Sequence, residues 1–317
     1  MSLNRSKTTP PMTPSKYHLA FSLIALASLN YAPGQTVFPS PATNRPAAII
    51  ATIGSNQVSI TVKGGERVIR ANGLPDHAVG QFPRRGNPNR ISAQTYEFRM
   101  EARPRTVGVP TPIQGAIFGI ALNGIPFDPA TAEFWNGDRH WNYEAKSSFI
   151  DLGLDENNAH VQPNGAYHYH GLPKGLLLRL NGEGGKMVLL GYAADGFPIY
   201  NNYGHMDPMD IRTPLKKIRS SYQLKTGLRQ GGPGGKYDGK FTSDYEYVNH
   251  LGDLDECNGR FGLTSEFPSG IYHYYITDQF PYVPRLWRGA PDPSFQKRGP
   301  VPPESGTNST AAPQPAK

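Results

Sequence analysis

The sequence predicts a mostly β domain, a β-sandwich or distorted barrel built from two related β-rich repeats. Three observations carry that expectation. Among 317 residues, Gly (35), Pro (31) and Tyr (17) are abundant, a mix that favours turns and strands over long helices. Asn123-Gly124 and Asp195-Gly196 each stand between apolar residues, the strongest short signal for a hairpin. Three segments also recur in the same order: GIALNGIPF (119–127) and GYAADGFPI (191–199), LDENN (154–158) and LDECN (254–258), PNGAYHYH (163–170) and PSGIYHYY (268–275). That order makes about 110–175 and 185–280 two copies of one unit.

The elements follow in chain order. Residues 1–27 read as an export signal: Arg5, Lys7 and Lys16 form a basic region, LAFSLIAL (19–26) is a short apolar run, and Ala25-Leu26-Ala27 fits a cleavage site. The run is too short to span a bilayer, so the mature chain is expected to carry no membrane span. An uncleaved anchor or a buried helix is the alternative. Residues 28–47 read as a linker, and 48–296 as the β domain. Ala48–Thr61 gives two short strands around Gly54-Ser55-Asn56, 64–93 is loop-rich, and QTYEFRM (94–100) alternates as an exposed strand does. From Lys297 to Lys317 a polar Pro/Ala/Ser stretch reads as a disordered tail, with a sequon at Asn308-Ser309-Thr310.

The net charge of +7 sits mostly at the ends. Residues 1–32 hold three basic and no acidic residues, and residues 297–317 hold Lys297, Arg298 and Lys317 against Glu304. The near-neutral remainder lacks the electrostatic footprint of a nucleic-acid binder. Cys257 is the only cysteine, so there is no internal disulfide; it is buried, an intermolecular link, or a ligand.

Chemistry concentrates in LDENNAHVQPNGAYHYH (154–170). His160, His168 and His170 follow the spacing H-x7-H-x-H around Pro163-Asn164-Gly165. A three-residue loop there pairs Gln162 with Ala166, Val161 with Tyr167 and His160 with His168. Alternation puts His170 on the face of His168, so three imidazoles converge. A two-residue Asn-Gly loop would pair His160 with Tyr169 and send it to the opposite face. The metal reading depends on that choice. Imidazoles in this pattern favour a Zn or Cu ion; the alternative is an aromatic-rich strand whose histidines only make hydrogen bonds. His273 matches His168 in the second copy. If the two hairpins face each other, His273 completes a four-ligand set; otherwise it is a structural echo.

Tyr167-His168-Tyr169-His170, with LGLDENNAH (152–160), GYAADGFPIY (191–200), SSYQLKTG (220–227), LGDLDECNGRFG (251–262) and GIYHYYITDQFPY (270–282), resembles the YHYH domain proteins. The likeness covers most of residues 70–290. It implies an exported domain with a metal site and does not imply a reaction.

Other candidates have two readings each. Asp155-Glu156 and Asp255-Glu256 are carboxylate partners of ligating histidines or capped turns, with Asn158 and Asn258 taking an unusual φ. Asp195 is a turn residue or a catalytic acid. Asp76-His77 is a loop pair or the source of a fourth ligand. Tyr167, Tyr169, Tyr272 and Tyr274 point away from the histidine face, into the core or onto a sugar-stacking surface. His140 is expected to pack among aromatics. Gly231–Gly235 is a loop without the Lys-Ser/Thr of a phosphate cradle, and no dinucleotide fingerprint or nucleophile elbow is present.

The expectation is therefore an exported protein (periplasmic, extracellular or cell-envelope) with a Zn or Cu site at His160, His168, His170 and His273. The alternatives are a metal-dependent hydrolase or copper oxidase, and a structural or carbohydrate-binding module without metal. A metal ion is the only partner named.

Overall fold

The computed structural model describes residues 54–297. The export signal, the linker, the strand expected over 48–53 and the tail from Arg298 lie outside the described residues.

The first strands are β1 (Val58–Lys63), β2 (Glu66–Ala71), β3 (Tyr96–Glu101) and β4 (Thr106–Pro112). Next come β5 (Gly119–Ala121), β6 (Pro126–Phe127), β7 (Phe134–Trp135), β8 (Asp138–Asn142), β9 (Ala159–Val161) and β10 (Tyr167–Tyr169). A short helix α1 (Lys174–Arg179) precedes β11 (Leu189–Ala193), β12 (Pro198–Tyr200), β13 (Tyr203–His205) and β14 (Leu215–Lys217). The last are β15 (Tyr222–Leu224), β16 (Tyr245–Tyr247), β17 (Gly259–Gly262), β18 (Ile271–Tyr275) and β19 (Leu286–Gly289). The chain is mostly β, as expected.

One eight-stranded sheet carries the architecture, in the order β17-β18-β12-β11-β5-β6-β10-β9. That order reads alike from both ends. Each half is a parallel pair, β6 with β10 or β12 with β18, flanked by antiparallel neighbours. The halves meet where β5 pairs with β11, in a register centred on Ile120 and Tyr192. Glycine is required on both sides of that junction. A Cβ at Gly119 would lie 2.6 Å from the Tyr192 carbonyl, and one at Gly191 would lie 2.1 Å from the Ile120 carbonyl. The segments paired by sequence likeness occupy matching places in this order. The sheet does not close on itself, which leaves the sandwich rather than the barrel.

The second layer is the sheet β1-β2-β3. A turn at Gly64-Gly65, both with positive φ, joins β1 to β2. Reading 64–93 as loop missed β2, although Arg67, Ile69 and Ala71 alternate inward along it. Ile69, Phe98 and Met100 join Phe118, Ile120 and Phe127 in one core, and the Arg67 guanidinium lies 3.7 Å from the Tyr192 ring centre.

The tyrosines of both halves enter this core, which removes the sugar-stacking reading: all four are at most 6% exposed. Their hydroxyls are satisfied alike in each half. Tyr167 donates to Asp155 Oδ2 at 2.6 Å, and Tyr272 to Asp255 Oδ1 at 2.9 Å. Tyr169 accepts from Asn123 at 2.9 Å, and Tyr274 donates to Asp195. Asp155 and Asp255 also cap their own turns, accepting from the Asn157 and Cys257 amides at 2.8 and 3.0 Å, while Asn158 and Asn258 take φ of 53° and 58°. Both Leu-Asp-Glu motifs are therefore structural turns.

Asp155→Ala leaves the Tyr167 hydroxyl and the Gly80 amide without their shared acceptor. Chemical denaturation is expected to show a loss of about 3 kcal/mol; a change below about 1 kcal/mol would contradict this.

Candidate metal centre

The loop after β9 is the three-residue one. Gln162 N–H donates to Ala166 O at 2.9 Å, Gly165 N–H returns to Gln162 O at 2.8 Å, and Gly165 has φ of 86°. The register is Val161 with Tyr167 and His160 with His168. The tyrosines thus face the core and the histidines the other side.

Three imidazoles converge there. His170 Nε2 lies 3.2 Å from His160 Nε2 and 3.0 Å from His168 Nε2. One ligand atom from each ring falls within 4.8 Å of the others. The opposite nitrogens are committed: His160 Nδ1–H donates to Leu152 O at 2.8 Å, and His168 Nδ1–H to Ala166 O at 3.2 Å. Those two rings, when neutral, must present an Nε2 lone pair inward. His170 can give a proton to one of them; it cannot satisfy both. An ion could resolve the conflict, and the spacing is close to what one needs: two nitrogens held tetrahedrally at about 2.1 Å from Zn stand about 3.4 Å apart. His170 Nδ1 is buried with no partner among the described residues.

Burial keeps the rings neutral. It holds His168 and His170 well below the ordinary histidine range, with the neighbouring imidazoles adding to the effect, and it lowers His160 less deeply. Beside His168 opens a cavity of about 380 Å³ that also borders Asp128, Gln162 and Lys297. Asp128 is 1% exposed and pairs with Lys297 Nζ at 2.6 Å. Neither residue was anticipated. Asp128 follows an unremarkable Pro-Phe, and Lys297 stands at the boundary where composition suggests a tail.

His273 stands elsewhere. The two hairpins do not face each other: they lie at opposite ends of the eight-stranded sheet. Five inter-strand steps of about 4.8 Å separate β10 from β18, about 24 Å. In its own half His273 repeats the His168 geometry, with Nδ1–H donating to Ile271 O at 3.0 Å. Its Nε2 accepts from the Tyr275 hydroxyl at 2.8 Å, which in turn accepts from Arg260 Nε at 3.2 Å. Arg260 pairs with His273 as His160 pairs with His168. Where one half gathers three imidazole nitrogens, the other has a guanidinium of its own.

The remaining candidates are structural. His77 Nε2 accepts from the Tyr169 hydroxyl at 2.6 Å, on the core side and away from the three imidazoles. Asp195 is buried, receives Tyr274 and the Gly289 amide at 2.8 Å, and is pushed by burial up to about 6. Cys257 is buried and free. His140 packs edge-on against Trp141 at 4.7 Å. The ring N–H acceptors at the cluster are backbone carbonyls rather than Asp155 or Glu156. At the base of the 231–235 loop, Arg229 pairs with the buried Asp244 at 2.6 Å and donates to Gly234 O at 2.9 Å.

Depressed histidine values set a direction for pH dependence. The metal-free fold favours neutral rings, so its stability is fullest above the unfolded value near 6.5 and falls as pH drops through it toward the lowered folded values. Denaturation midpoints are expected to be level from about pH 8 to 7 and to decline below about 6.5. The decline should be shallower in His168→Ala/His170→Ala; an equal slope would contradict the assignment.

Residues 97–289 match the family model described as YHYH protein, a span that includes both hairpins. No curated protein and no solved structure matches the chain.

Proposed function

This chain belongs to the YHYH protein family, and we propose that it is an exported protein that binds one Zn or Cu ion through His160, His168 and His170. The observation that carries the proposal is the convergence of three imidazole nitrogens, two of them on rings whose opposite nitrogen is already spent on a backbone carbonyl. Neutral nitrogen donors without thiolate suit Zn and Cu over harder cations such as Mg or Ca. Export rests on the basic and apolar pattern of residues 1–27 alone.

A second reading, metal-dependent catalysis, is favoured by one feature. Three protein ligands are the usual set of a catalytic zinc, which leaves a position for substrate. The cavity beside His168, with its buried Asp128, provides space next to that position. An ion there would supply a Lewis acid. The chain's own residues would shape the cavity and position Asp128 against Lys297.

Elemental analysis of the tag-free protein is expected to give about one Zn or Cu per chain. His168→Ala and His170→Ala should each reduce it at least about tenfold, in keeping with the loss of one of three ligands. Metal content unaffected by both substitutions would overturn the proposal.

A further inference from the structure

The two halves of the large sheet end in edge strands with different surroundings. At the β9 edge, the groove formed by Asp155, Val161 and Tyr167 is filled by the chain's own residues 80–89. Gly80 N–H donates to Asp155 Oδ2 at 3.0 Å. The Asn87 and Asn89 side-chain amides donate to Val161 O at 2.9 and 2.7 Å. Phe82 packs edge-on against Tyr167 at 6.1 Å. The fit excludes a side chain at Gly80, where a Cβ would lie 2.7 Å from the Asp155 Cβ.

At the β17 edge the matching groove is open. Asp255, Phe261 and Tyr272 hold the places of Asp155, Val161 and Tyr167, and they line a cleft of about 500 Å³ with Arg288 and His250. Asp255 Oδ1 caps its turn as Asp155 does, but Oδ2 receives only the Tyr272 hydroxyl, at 3.0 Å. Phe261 faces Tyr272 three places from a bonded pair, since Tyr275 N–H donates to Asn258 O. Its own N–H and C=O therefore point outward from the sheet. No described loop or side chain meets them, and Phe261 is 52% exposed.

We propose that this edge and cleft bind an extended, glycine-containing peptide segment of a partner protein, held as residues 80–89 are held against the other half. The peptide's amide would take Asp255 Oδ2, its polar side chains or backbone would take the outward groups of Phe261, and an aromatic residue would pack on Tyr272. Strand-edge addition of this kind draws affinity from main-chain hydrogen bonds and specificity from pockets beside them. The inference does not depend on the metal.

The test uses the full chain and a synthetic peptide with the sequence of residues 78–90. Calorimetry is expected to give one peptide per chain, and amide NMR shifts should fall at Phe261 rather than Val161. Carrying Gly80→Val in the peptide should weaken binding at least about tenfold, as a Cβ cannot enter beside the carboxylate. In the protein, Phe261→Pro removes an outward N–H without touching the ladder, so the fold should survive and binding should also fall at least about tenfold. Absence of binding at millimolar peptide, insensitivity to both changes, or shifts at Val161 would overturn the proposal. So would self-association abolished by Phe261→Pro, which would make a second copy the occupant.

Discussion

Three imidazole nitrogens held in one small space, two of them fixed as inward lone pairs, are the constraint on which the functional side of this fold turns. Two of the three rings cannot turn their protons inward, because Leu152 O and Ala166 O already take them. The third can give its single inner proton to one neighbour only. Without a cation or an added proton, at least one of the two fixed lone pairs is left without a donor among the three rings. The cost of holding them there is the reason to read the site as built for an ion. Burial supports the same state, since it disfavours the charged imidazolium that would otherwise relieve the conflict.

The other half of the sheet shows the same scaffold relieved in another way. A ring on the matching strand makes the same Nδ1–H bond to a carbonyl two residues back, yet its inner nitrogen meets a phenol, and the phenol meets a guanidinium. The ring, the phenol and the guanidinium are linked donor to acceptor, and a permanent positive charge stands in the place of His160. The tyrosine faces of the two halves, by contrast, are held alike, each hydroxyl tied to an Asp or Asn. One face of the sheet is thus kept constant for packing while the other differs in chemistry.

Much of the site was legible because its cause is local. Pro163 and Gly165 select the loop, the loop sets the register, and alternation does the rest. The strand alternation that buries the tyrosines is equally local. What could not be read depends on distant partners. Asp155 and Asp255 could be read as turn residues, but the tyrosines across the hairpin and, for Asp155, the Gly80 amide that they also bind could not. Strand β2 was hidden because a Gly-Gly turn resembles the loop chemistry that follows it. Placing His273 at the metal required the hairpins to meet, whereas the β5–β11 junction puts them at opposite ends of one sheet. The residues that mark His273 as non-ligating, Arg260 and Tyr275, were visible all along, as replacements for His160 and His170.

X-ray absorption spectroscopy of the protein loaded with one equivalent of Zn reports most directly on whether the three rings share a cation. The account predicts a first shell with three imidazole nitrogens at about 2.0–2.1 Å, recognisable by the outer-shell scattering of the rings. A shell made of oxygens, or one with a single imidazole, would contradict it.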